Sequence, residues 1–173
     1  MHLFWERGYA GCSLDSLLSA MGIGLRSLYD TFGDKRTLFL RCLTSYTAAS
    51  ERAERDLADS ATDARSAIDK LLRSPIAPSG GTSVGCLAVN TATELTTNDE
   101  EVTRELQRHF AASRQLLTDQ VLRGRADGSV TARGDPDTIV AMLFNAWTGL
   151  RVRARAGMTG LEGEVDALVG LLH

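Results

Sequence analysis

From Ser13 to Lys35 the chain reads SLDSLLSAMGIGLRSLYDTFGDK, and its apolar positions recur at helical spacing in two short runs. Leu14, Leu17, Leu18 and Met21 fall three or four residues apart, which predicts a helix with one buried stripe. Ser13 stands where an N-cap is expected, its hydroxyl free to accept from an orphan amide of the first turn. Gly22 supplies the backbone freedom of a tight helix stop. Ile23 then plugs the angle, and Gly24 opens a second run bearing Leu25, Leu28 and Tyr29. Two short helices about a glycine turn predict a helix-turn-helix. That motif lays its second helix in the major groove with the N-terminal residues at base edges, so Leu25, Arg26 and Ser27 are candidate DNA contacts.

Helical periodicity continues to the end of the chain. Leu38, Phe39, Cys42, Leu43 and Tyr46 predict a long helix from Lys35 to about Leu57, with Glu51–Arg55 and Arg52–Asp56 as i,i+4 pairs. Asp63 to Arg73 forms a further helix on Ala64, Ala67, Ile68, Leu71 and Leu72. Pro75, Pro78 and the run Ser79-Gly80-Gly81-Thr82-Ser83 break the pattern and predict a mobile loop. The string CLAVNTATEL after Gly85 reads as a compact apolar helix. Asp99 to about Arg123 is longer, with Val102, Leu106, Phe110, Leu117 and Val121 among its apolar positions. Asp135-Pro136 is an N-cap followed by proline at the first helical position, opening a helix to Arg155. A last helix spans Leu161 to Leu172. The pattern calls for no strand, so the expected fold is all-α: an N-terminal helix-turn-helix head over residues 1–46 and a helical ligand-binding and dimerisation body over 47–173.

Composition narrows the class. A chain of 173 residues with 43% hydrophobic side chains can bury a core. It carries no membrane-length apolar run and no leader, which points to the cytoplasm and away from membranes. Cys12, Cys42 and Cys86 lack paired spacing, against a disulfide framework or a zinc site. The net charge of −3 is unusual for a DNA binder. Within residues 1–49, however, Arg7, Arg26, Lys35, Arg36 and Arg41 outnumber Glu6, Asp15, Asp30 and Asp34, so the acidic excess lies in the body. Phosphate neutralisation supplies most non-specific affinity, hence weak, salt-sensitive DNA binding that depends on dimerisation is expected.

The motif also resembles the TetR-type transcriptional repressors. That resemblance rests on Leu28-Tyr29-Asp30-Thr31-Phe32-Gly33-Asp34-Lys35 with Leu38, and upstream on Phe4, Gly8 and Tyr9. Gly24 stands where that family usually has Ser or Thr, and Thr31 where it often has His. The family also carries a basic arm before the equivalent of Leu3, whereas this chain opens at Met1 inside the first helix. The segment Gly85-Cys86-Leu87 with Asn90 is similar to one in a branch of the same family, where it lines the regulatory core. The resemblance implies a homodimer on a palindromic double-stranded operator, released when a small organic effector shifts the Lys35–Leu57 helix and the spacing of the two heads.

At the DNA, Ser13, Gly24, Leu25, Arg26, Ser27, Tyr29, Thr31 and Lys35 are the candidate residues. Arg26 can make a bidentate contact to guanine and Ser27 can bond several base edges. Lys35 reads as a phosphate contact near a helix N-terminus, and Tyr29 as either a phosphate contact or core. Phe32 reads as core. The candidate effector site comprises Cys86, Leu87, Asn90, Glu94, Phe110, Phe144 and Trp147. Asn90 and Glu94 are polar i,i+4 neighbours in an apolar helix and need partners, either internal or on a ligand. Cys86 reads as a thiol activated at a helix start or as a small buried hydrophobe; with no cation adjacent in sequence, packing is the favoured alternative.

No catalytic motif is present: His2, His109 and His173 are scattered, and neither a nucleophile elbow nor a phosphate-binding loop is complete. The expectation is therefore a regulator, not an enzyme, with no cofactor. The alternative is a helical small-molecule or redox sensor that has lost competent DNA binding.

Overall fold

The computed structural model describes residues 1–76, 85–95 and 99–173, and the described chain is all-helical. Its helices are α1 (His2–Arg7), α2 (Leu14–Met21), α3 (Leu25–Phe32), α4 (Lys35–Asp59), α5 (Ala64–Arg73), α6 (Leu87–Leu95), α7 (Glu100–Asp127), α8 (Pro136–Arg155) and α9 (Leu161–Gly170). Side-chain caps set most of the starts. Ser13 accepts from the Ser16 amide at 3.1 Å, Asp34 from Thr37 at 2.6 Å, Asp63 from Ser66 at 2.8 Å, and Asp135 from Thr138 at 3.0 Å. Each satisfies an amide that the helix itself leaves without a partner.

Gly22 ends α2 in the left-handed region, at φ 65° and ψ 30°, a conformation that side-chain-bearing residues rarely adopt. The predicted stripe of α2 is narrower than its spacing suggests. Leu17 is buried and Leu14 and Leu18 half-buried, but Met21, on the last turn, is exposed. The other helix ends differ by a few residues from expectation. α4 runs on to Asp59, α7 to Asp127, and α9 stops at Gly170 with Leu172 still buried beyond it. The expected loop at Pro78–Ser83 lies outside the described residues.

Two apolar clusters form the interior. One joins the head to the first half of the body: Phe4, Cys12, Leu17, Leu28, Phe39 and Leu43 pack with Leu87, Val102 and Leu106. The other gathers Ile68, Leu71, Leu117, Val121, Val140, Leu143, Trp147 and Val165 from α5, α7, α8 and α9. α7, about 42 Å long at 1.5 Å per residue, contributes to both clusters. Among the described residues, no helix is long and apolar enough to cross a membrane.

Candidate nucleic-acid interface and buried thiol cluster

α3 is held by one fully buried side chain, Leu28, and presents the rest of its surface outward. Leu25 is 48% and Tyr29 46% exposed, which places the Tyr29 ring at the surface rather than in the core. The Arg26 side chain is 95% exposed, and among the described residues its ion-pair neighbour is Asp30 at 3.6 Å on the same helix. Ser27 and Thr31 are exposed as well, and Gly24 has open space where a side chain would point. Phe32 is half-buried, under the Arg41 guanidinium at 5.5 Å. Ser13 is occupied in capping α2.

Lys35 lies over the Tyr9 ring, its Nζ 4.3 Å from the centroid. That contact draws α1 and the start of α4 together. Arg36 is committed elsewhere: it donates to both carboxylate oxygens of Asp99, at 2.7 and 2.8 Å, and to Glu101 at 2.6 Å. The outward cations of the head are therefore fewer than the sequence count suggests.

The expected effector residues divide. Glu94 is exposed and faces the head, where its carboxylate accepts from the amides of Tyr9 at 3.0 Å and Ala10 at 2.7 Å. Gly8 permits that approach: a Cβ there would lie 2.5 Å from Glu94 Oε2, and φ is +73°. At the other end of α6, the Trp5 indole donates to the Gly85 carbonyl at 2.9 Å. The two ends of α6 thus grip α1 at Trp5 and the turn that follows it at Tyr9 and Ala10. Phe110 and Phe144, both half-buried, meet edge to face with centroids 6.2 Å apart. Leu87 is buried in the head-side cluster and Trp147 in the other. Asn90, one turn into α6, is half-buried.

Between the two apolar clusters runs a layer of buried polar side chains. α4 contributes Thr47, Glu51 and Glu54, α7 contributes His109 and Ser113, and α8 contributes Arg151. Arg151 donates to Glu54 at 2.7 Å, and Ser113 donates to the same carboxylate at 2.8 Å. His109 Nδ1 is 3.2 Å from Glu51, which Arg108 also reaches at 3.0 Å. Glu51 is thus a buried anchor, with Arg55 a distant 3.5 Å partner. The Arg151 guanidinium stacks on Trp147 at 4.0 Å and lies 3.9 Å from Cys86 Sγ.

The thiol that looked isolated in sequence is therefore surrounded by polar groups. Burial opposes ionisation of Cys86, but the His109 imidazole, the Arg151 charge and the Tyr46 hydroxyl outweigh it and bring its pKa down to about 7. His109 moves the opposite way: burial favours its neutral form, yet Cys86, Glu54 and Glu51 together raise its pKa. Cys12 is the contrast, since burial pushes its thiol up. His109, Arg151, Tyr46 and Glu54 were not found from the sequence. Their signal was there, because His109 and Ser113 occupy the positions of the α7 stripe between Leu106 and Leu117 where apolar residues belong.

Among the described residues, no group of three or more His, Cys, Asp or Glu side chains converges as metal ligands would.

Residues 1–42 match the model of bacterial regulatory proteins of the tetR family, and residues 77–160 match a tetracyclin repressor-like C-terminal domain. A solved structure of the TetR family transcriptional regulator CifR, a cysteine mutant complexed with 26-bp double-strand operator DNA, is 33% identical. It has a TM-score of 0.83, with 97% of this chain and 90% of that one covered. This chain belongs to the TetR family of transcriptional regulators. Among curated members, the uncharacterized HTH-type transcriptional regulator YezE of Bacillus subtilis (strain 168) is 28% identical over 99% of this chain and 91% of its own length. The HTH-type transcriptional repressor ComR of Escherichia coli (strain K12) is 27% identical over 91% of this chain and 76% of its own. Family members are regulators rather than enzymes, in line with the missing catalytic motifs.

Proposed function

We propose that this TetR-family chain is a cytoplasmic, homodimeric repressor that binds a palindromic operator through α3 and releases it when a small molecule acts on the body. The observation that carries the reading is α3 itself: a short helix anchored by Leu28, with Leu25, Arg26, Ser27, Tyr29 and Thr31 all exposed on a head of the family's type. Arg26 and Ser27 read bases, while Tyr29 and Lys35 position the backbone. CifR, the relative at 33% identity, was solved on operator DNA, which supports the same mode here.

The dimer reading draws on α8 and α9. Their outer surface leaves Met142, Val152 and Leu171 between 42% and 58% exposed. A groove of about 410 Å³ lined by Ala146, Gly149, Leu150, Leu168 and Leu171 runs between them. Packing against its own copy would close this surface as a four-helix bundle.

Effector and DNA compete through linkage. A ligand that favours the released state must lose affinity on DNA by the same factor that DNA loses on ligand. Selection of genomic fragments by the purified protein, followed by footprinting, tests the reading. The expected product is a two-fold symmetric site with half-site centres about 34–36 Å apart, or multiples of that spacing. Recovery of no enriched sequence at low salt would overturn it in favour of a sensor without DNA binding.

A further inference from the structure

Leu28 is the one buried side chain of α3, and Arg26 and Asp30 stand two positions to either side of it. At about 3.6 residues per turn, both therefore point within roughly 20° of the direction opposite the core. They occupy the centre of the outward face, with Ser27 and Tyr29 flanking them. The pair meets through Arg26 Nε and Asp30 Oδ2 at 3.6 Å, an ion-pair rather than a hydrogen-bonding distance. That approach leaves the two Nη groups of Arg26 for a guanine edge.

Helix stability does not account for Asp30. A carboxylate in the last turn opposes the helix macrodipole, and aspartate is among the weaker helix formers. Base four residues ahead of acid is the less favourable order for an i,i+4 pair, and side chains 95% and 70% exposed gain little from pairing in water. Attraction to DNA does not account for it either, because a negative charge at the centre of the DNA-facing surface opposes every phosphate. Nearby cations of the head are already engaged: Arg36 is tied to Asp99 and Glu101, and Arg41 lies over the Phe32 ring.

We infer that Asp30 is a specificity-determining residue that works by rejection, demanding a cytosine amino group in each half-site beside the guanine read by Arg26. This deepens the repressor reading and rests on it for its target. An ionised carboxylate is acceptor-only. The major groove meets it mostly with other acceptors, guanine N7 and O6, adenine N7 and thymine O4, and its donors are the exocyclic amino groups of cytosine and adenine. Cytosine alone offers that amino group with no acceptor beside it on the same base edge. At guanine or thymine the carboxylate faces a lone pair and gives up its water without compensation. On random sequence it also offsets the attraction that Arg26 has for phosphates. Discrimination therefore rises by penalising wrong DNA as well as by favouring the right one.

The test takes wild type, Asp30→Asn and Arg26→Ala as full chains through selection on a randomised duplex library, and through anisotropy on one fixed random duplex at two salt concentrations. Asp30→Asn keeps the size of an exposed side chain, so the melting curve should not move. Wild type should enrich half-sites that carry both the guanine and the cytosine. Asp30→Asn should lose its preference for the cytosine by about fivefold or more, the lower end of a one-base mismatch. It should admit adenine there, the base that an asparagine amide pairs with, and keep the guanine that Arg26→Ala loses. On the random duplex Asp30→Asn should bind at least about threefold tighter at low salt, a gain that shrinks as salt rises. An unchanged base profile overturns the inference, and so does relaxation confined to the position that Arg26→Ala also relaxes, which would make Asp30 a support for Arg26 alone. Equal or weaker binding of Asp30→Asn to the random duplex overturns the rejection. If wild type enriches no sequence while Asp30→Asn still tightens on the random duplex, the repressor reading fails and the charge effect of Asp30 stands.

Discussion

The recognition helix and the buried polar layer are built on opposite principles. α3 is eight residues long, with Leu28 its one buried side chain and its polar groups in water. Thr47, Glu51, Glu54, His109, Ser113 and Arg151 are each less than 9% exposed, and their polar partners come from helices far apart in sequence. Exposed charges such as Arg26 and Asp30 contribute little to stability and can be chosen for what they touch. Buried charges must be matched to each other, because each unpaired one is expensive. Side chains at the DNA surface can therefore change one at a time, while those in the interior can change only in sets.

The most damaging way to break that contrast is at Arg151. Arg151→Met leaves the buried Glu54 with only the Ser113 and Ser50 hydroxyls, at 2.8 and 3.1 Å, and no counter-charge, and loss of one partner from a buried pair costs about 3–5 kcal/mol. Urea denaturation should show that loss, and the double change Glu54→Leu with Arg151→Met should recover most of it. A single-variant cost below about 1 kcal/mol would mean that the layer is solvated like the surface.

A second division separates folding from association. Leu143 is fully buried in its own subunit and Leu171 is 58% exposed. Leu143→Ala should lower unfolding free energy by about 2–5 kcal/mol. Leu171→Glu should leave the melting behaviour of the subunit close to wild type and shift light scattering toward monomer. A dimer that survives Leu171→Glu together with Met142→Glu would move the interface off this surface.

The sequence was most legible where structure is local. Ser13 and Gly22 act within a few residues of themselves, and spacing alone located the motif. Asp63, Asp99 and Asp135 start helices for the same reason. Met21 misled because periodicity gives a direction but not whether anything packs there. The thiol cluster was hidden for a different reason. Cys86 has no cation beside it in sequence; Arg151 lies 65 positions away, and His109 and Tyr46 come from separate helices. Glu94 was visible as a polar residue in need of partners, but the partners proved to be backbone amides of the head, which no side-chain pattern records.

At the DNA surface, Arg26→Ala should leave the unfolding curve unchanged, since its side chain is 95% exposed. Operator affinity should fall by about 1–3 kcal/mol per lost bidentate contact, with base preference relaxed at one position of each half-site. Lys35→Ala should weaken specific and random duplexes alike and flatten the salt dependence. Equal losses on both duplexes for Arg26→Ala would reduce that residue to a phosphate contact and leave base reading to its neighbours.

The smallest expected effect lies where the two regions meet, at Asp99. Its carboxylate accepts from Arg36 and also caps α7 through the Val102 amide at 3.1 Å. The Arg36 bonds first, and the cap amide after them, hold Asp99 below the usual carboxylate range. A carboxyl whose folded pKa is depressed contributes stability that is complete above the unfolded value, about 3.9. That contribution is lost as pH falls through the lower folded value. Because Arg36 is substantially exposed, solvent screens the pair and the gain at neutral pH is modest. Urea midpoints of wild type and Asp99→Asn should therefore differ slightly at pH 7 and converge below about pH 4. Parallel curves down to pH 3 would show that no proton-linked tie joins the head to α7 at this point. The head would then be held to the body by its apolar cluster, the two ends of α6 and the remaining polar contacts, among them Arg36 with Glu101 and Arg155 with the Trp5 carbonyl.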